Sequence, residues 1–180
     1  MLASRPVHVT CRDSIPIMTD EFELWAEFNV AMVGATAALA GLVIVASSVN
    51  IGEIIKAKPL TARLGAGIAA LVLAIVASAL GLIPTITPFW FGILLLGATL
   101  IAGSFQVEAT RTIYADRNPA ARAKFVKSAF GFTPILAYLV SAVAVMVGHP
   151  AGLTFAAAGC ILAIVAGIIV SWVVLVEVLR

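Results

Sequence analysis

Charge is what this chain has least of. Residues 28–49, 64–83, 89–107, 129–147 and 153–176 contain no Asp, Glu, Lys, Arg or His. Charged residues make up 11% of the whole, against about a quarter in soluble domains. Chemistry inside a membrane rests on buried acids, bases or metal ligands, and a mid-helix charge costs roughly 2.5–3.5 kcal/mol on insertion. Interiors empty of such groups argue against an enzyme.

Cysteine and histidine are scarcer still, two of each. Cys11 lies in the N-terminal tail and Cys160 inside an apolar run, so no disulfide is expected between them, and Cys160 reads as a small packing residue. No Cys/His spacing suggests a metal, and no cofactor is implied. His149 stands in a short turn beside Pro150, with no second polar group to make it a base. Residues 1–17 carry Arg5 and Arg12 but no apolar core of the kind a signal peptide needs. Met18 is a candidate start of translation, and residues 1–20 are expected to be a flexible tail.

What the chain does have is length without charge. Residues 28–49 span roughly 33 Å as a helix at 1.5 Å per residue, enough for a hydrocarbon core of about 30 Å. The other four runs are comparable, so residues 21–180 are expected to form one all-α domain, a polytopic transmembrane bundle of five spans. Short turns rich in proline or glycine (Pro84–Pro88 and Gly148–Gly152) separate the second span from the third and the fourth from the fifth. Asn118-Pro119 reads as a helix start, and Pro134 as a kink near the beginning of the fourth span.

The basic residues orient the bundle. Lys56, Lys58, Arg63, Arg111, Arg117, Arg122, Lys124, Lys127 and Arg180 fall on one side, and only Arg5 and Arg12 on the other. Such an excess marks the cytoplasmic face, which puts the N-terminus outside and the C-terminus in the cytoplasm. Trp25 and Trp90 are expected at the outer interface and Trp172 near the inner one.

Small residues at helical spacing mark where backbones approach. Gly34, Ala38 and Gly41 form one such face in the first span, where close packing against another helix is expected. Ala66, Ala70 and Ala74, extended by Ala62 and Ser78, form a second stripe. Gly159, Ala163 and Gly167, followed by Ser171, form a third. The second and third stripes serve either contacts within one copy or an oligomer face.

Two groups of polar residues lie beyond the spans. Asn50, Glu53, Gln106, Glu108 and Glu177 fall near the inner ends of spans one, three and five. Three carboxylates converging there would hold a cation or a partner's basic segment. Otherwise they pair with Lys56, Arg63, Arg111 and Arg180 at about 0–1 kcal/mol each. The loop bearing Arg111, Arg117, Arg122, Lys124 and Lys127 suits anionic lipid or a cytoplasmic partner. It interleaves no aromatics for stacking, so nucleic acid is not expected.

Trp25, Phe28, the segment AALAGLVIVASSVNIGEII and the Leu82-Ile83-Pro84 turn together resemble a family of small bacterial integral membrane proteins of uncharacterised function. Some members are labelled modulators of a membrane-bound ATP-dependent protease. The resemblance implies a multi-pass protein of the bacterial plasma (inner) membrane and brings no catalytic residues.

Two functions are therefore expected. The first is a non-enzymatic accessory or modulator acting by helix association, with a membrane-protein partner or a second copy. The alternative is a small transporter or channel working as an oligomer. A continuous water-accessible line of Thr36, Ser78, Thr99, Ser104, Tyr138 and Ser141 would favour transport, and scattered positions against packed neighbours would favour association.

Overall fold

The computed structural model describes residues 22–49, 51–56, 58–115 and 121–178. Within them the elements are helices α1 (Ala26–Val49), α2 (Ile51–Lys56), α3 (Lys58–Leu80), α4 (Pro88–Ala115), α5 (Ala121–Met146) and α6 (Ala151–Val178). One helical turn, Phe22–Leu24, precedes α1. No strand occurs among the described residues.

Four helices are long and apolar enough to cross a membrane: α1, α3 from Leu60, α4, and α6 as far as Trp172. The apolar part of α5 described here, Phe130–Met146, is shorter. The protein is thus a helical membrane protein by length and composition.

Helices α3 to α6 form an up-and-down bundle in which each packs against its chain neighbour and α3 closes the ring against α6. Side-chain pairs fix the registers. Gly92 faces Ala142 and Met146, Gly103 faces Ile135, and Gly131 faces Gln106, so α4 and α5 run antiparallel along their apolar lengths. Gly152 sits on Val145 and Gly159 on Tyr138 across the α5/α6 seam. Gly67 meets Val170 and Gly167 meets Leu71 between α3 and α6. α1 lies outside this ring, against α3 and to a lesser extent α6.

The core is the inside of that ring. Leu73, Ala74, Leu95, Tyr138, Ala142, Val145 and Ala163 are almost wholly enclosed. On α4 the enclosed positions are Phe91, Gly92, Leu95, Thr99, Ala102, Gln106 and Ala109, a single face at three- and four-residue spacing. A second cluster gathers Ala40 and Val43 of α1, Ile54 of α2, and Leu60, Leu64 and Leu71 of α3. There α2 folds back onto α3, held where the Thr61 hydroxyl donates to the Ile54 carbonyl at 2.8 Å.

Several boundaries differ from the apolar runs. α3 begins at Lys58, not Leu64, and stops at Leu80, because the backbone tightens at Leu82 and Ile83 into bonds to Ala79 and Leu80. α4 continues past Val107 to Ala115, since its last turns remain good helix-forming sequence outside the apolar stretch. The segment after Asn50, expected as a loop, contains α2. Pro134 lies inside a helix assigned without a break. Asn118-Pro119 and the tail containing Cys11 and Met18 lie outside the described residues.

Both short turns are built from their own residues. Thr87 precedes Pro88 at the start of α4, its side-chain oxygen accepting the Trp90 N–H at 3.4 Å. α5 ends with Gly148 at φ +78°, with His149 N–H reaching the Ala144 carbonyl and Gly148 N–H the Val145 carbonyl. That bonding pattern closes a helix with a left-handed residue, which favours glycine.

Candidate functional site

The polar residues of the spans do not form a line. The Thr99 hydroxyl donates to the Leu95 carbonyl at 2.6 Å, and the Thr36 hydroxyl to carbonyls in its own preceding turn. Ser104 faces outward and bonds Ile101. Ser141 is wholly buried and donates to the Gly152 carbonyl of α6 at 2.8 Å, fastening the α5/α6 turn. Only Ser78, Tyr138 and Cys160 come together. The Ser78 hydroxyl and Cys160 thiol are 3.9 Å apart, and the Tyr138 hydroxyl is buried beside the thiol without a well-aligned hydrogen bond among the described residues. Cys160 is a free, enclosed thiol.

The three stripes of small residues occupy different surroundings. Ala66, Ala70 and Ala74 are buried in the ring. Gly159, Ala163 and Gly167 are also enclosed: a Cβ at 159 would lie 3.1 Å from the Tyr138 ring, and one at 167 would lie 3.0 Å from Leu71. Gly34, Ala38 and Gly41 are exposed, and a Cβ at either glycine would meet nothing within 4 Å. Among the described residues, no helix of the same copy covers that face. The face continues through Val45, which is 62% exposed.

At the end of the bundle bearing Lys56, Arg63 and Arg111, a cavity of about 300 Å³ opens among α3, α4, α5 and α6. Arg63, Ala66 and Ala70 line it from α3, Gln106 and Ala109 from α4, Gly131 from α5, and Ala166 and Val170 from α6. Gln106 is 9% exposed and presses against the Gly131 backbone, where any side chain would collide with its amide. Among the described residues its side-chain amide makes no hydrogen bond. The single-face pattern of α4 could have shown this, because Gln106 is the one amide on it.

Glu108 is exposed and does not join Gln106 on the enclosed face of α4. Asn50 and the side chains of Glu53 and Glu177 lie outside the described residues, as do Arg117 and the side chains of Arg122, Lys124 and Lys127; Arg111 is exposed. Among the described residues no three His, Cys, Asp or Glu side chains come close enough to hold a metal. His149 caps α6, its Nδ1 accepting the Ala151 N–H at 3.2 Å.

The aromatics divide. Trp90 and Trp172 are exposed. Trp25 is half-buried and meets Phe28 edge-on, while Phe22 stacks edge-on over Phe91 at 5.3 Å. The segment before α1 therefore folds over the turn end of the bundle.

No protein-family model matches the chain, and no curated protein or solved structure matches it significantly.

Proposed function

We propose that this is a five-span protein of the bacterial plasma membrane, N-terminus outside and C-terminus cytoplasmic, that acts by helix association rather than by catalysis. The packing of α5 supports the fifth span. α5 lies between α4 and α6 along their apolar lengths, and Phe130–Met146 covers roughly 26 Å at 1.5 Å per residue. Helices that cross carry their packed neighbour across with them. The excess of basic residues at one end supports the orientation.

The observation that carries association is the uncovered Gly34, Ala38 and Gly41 face. α1 is the least buried of the four long apolar helices, 22% against 28–50%, and it packs outside the ring, mainly on α3. In lipid, where apolar surface alone gives little drive, small residues that let backbones approach are what join helices. The scattered, locally bonded hydroxyls support the same reading over a conducting path. The resemblance to small membrane proteins labelled as protease modulators would make the partner another membrane protein, and a second copy is the other candidate.

The test is assembly size in lipid nanodiscs or mild detergent. Gly34→Ile with Gly41→Ile leaves the fold intact, because neither side chain meets a neighbour in the copy, and lowers the assembly size. An unchanged assembly, or a wild-type chain that is monomeric and partnerless, contradicts the proposal. Reporter fusions at the C-terminus that read as external would overturn the orientation.

A further inference from the structure

The cavity at the basic end holds two polar side chains, Arg63 and Gln106, that make no side-chain hydrogen bond or ion pair among the described residues. The Gln106 amide, nine-tenths buried, has both donors and its acceptor unpaired among the described residues. An amide that lines a cavity with its donors and acceptor free is available to a ligand. Arg63 is half-buried on the same wall and makes no ion pair among the described residues.

The remaining walls are apolar, with large Ile113, Phe130, Ile169 and Val170 beside small Ala66, Ala70 and Ala166. Ala70 lies two helical turns beyond Arg63 on α3, about 10 Å further into the bundle. The three alanines leave the depth of the slot open between those larger side chains. The result is an apolar slot with a guanidinium and an amide on its walls. Its volume, about 300 Å³, is at the small end of ligand sites, too small for a two-chain phospholipid.

We propose that this cavity binds a single-chain amphiphile with an anionic head, a carboxylate or a phosphate monoester. The Arg63 fork pairs with two head-group oxygens, the geometry at which guanidinium excels over ammonium. The Gln106 amide N–H donates to a head-group oxygen. The hydrocarbon tail fills the slot toward Ala70. Such a ligand reaches the site from the inner leaflet or from solution, and chain length separates the two sources. The inference does not depend on association through α1.

The experiment uses the full chain in nanodiscs of neutral phosphatidylcholine, because detergent would itself occupy the slot. A decanoate carrying a tail diazirine is photolysed, and the labelled peptides are identified by mass spectrometry. Labels are expected on the peptides containing Ala70 and Ala166, with unlabelled decanoate and decyl phosphate competing. Arg63→Gln weakens decanoate competition about tenfold, the loss expected for one charged hydrogen-bonded contact, and leaves decanol unchanged. Gln106→Leu weakens it by a smaller factor, and Ala70→Leu abolishes slot labelling for acid and alcohol alike. Labelling spread evenly over lipid-facing peptides, or equal loss for acid and alcohol in Arg63→Gln, overturns the proposal. Butyrate competing as well as decanoate also overturns it, by showing a site for soluble anions. None of these readouts changes with assembly size, so failure here and failure of the association reading are distinguishable.

Discussion

The α4/α5 seam allows one substitution to be made twice with opposite outcomes. A Cβ at Gly92 would lie 2.8 Å from the Ala142 carbonyl oxygen and collide with the Met146 side chain. The methionine can swing away; the backbone carbonyl cannot. Ordinary contact begins near 3.4 Å, so α4 and α5 must part by about half an ångström, and overpacking of that kind costs about 1–3 kcal/mol. Replacing a helical glycine with alanine returns about 1 kcal/mol of helix propensity. Gly92→Ala is therefore expected to lose up to about 2 kcal/mol. At Gly103 the nearest atom to an added Cβ is Ile135 Cγ2 at 3.7 Å, ordinary contact, so Gly103→Ala keeps the propensity gain and stabilises by up to about 1 kcal/mol. Unfolding of both variants in SDS titrations from mild detergent, followed by circular dichroism, measures the difference. Equal midpoints for the two variants would refute the seam geometry.

Three further substitutions probe the core and the turns. Tyr138→Phe removes a buried hydroxyl whose polar neighbour is the weakly accepting Cys160 thiol and should be neutral or stabilise by up to about 1 kcal/mol in the same titration; a loss of that size would mean the hydroxyl is well bonded. Ser141→Ala breaks the bond to the Gly152 carbonyl and should cost about 0.6 kcal/mol, the usual worth of such bonds in membrane bundles, with no gain in any condition. Gly148→Ala forces a side chain into a left-handed residue and should cost about 1–2 kcal/mol without altering assembly size, whereas a neutral result would place the α5 turn in another conformation.

Hydropathy made the helices legible because lipid demands long uncharged runs, and the two reversing turns were legible in Pro84, Pro88, Gly148 and Pro150. Which side of each helix faces inward was not. On α4, enclosed Leu95 and exposed Leu94 are the same residue type, since lipid and protein core reward the same side chains. Spacing of small residues did not decide either. Gly159 and Gly167 are covered by Tyr138 and Leu71, while Gly34 and Gly41, spaced much alike, are open, and only the position of the neighbouring helices separates them. Helix ends moved where the sequence turns polar, as at Lys58 and Ala115, because helix formation does not require apolar residues. Gln106 stood in the sequence as one polar residue near a span end; its burial follows from sharing the Leu95, Thr99 and Ala102 face, which becomes visible once α5 is in place.

Association through α1 is tested most directly by oxidative cross-linking in intact membranes. With Cys11→Ser to remove the tail thiol, Ala38→Cys places a thiol on the open face between Gly34 and Gly41. Leu94→Cys places one on α4 as a lipid-facing control, 47% exposed at the native residue. The account predicts a discrete disulfide-linked adduct from Ala38→Cys, with a second copy or one partner of fixed mass, and none from the control. Free monomer from Ala38→Cys, or the same adducts from both positions, would contradict it.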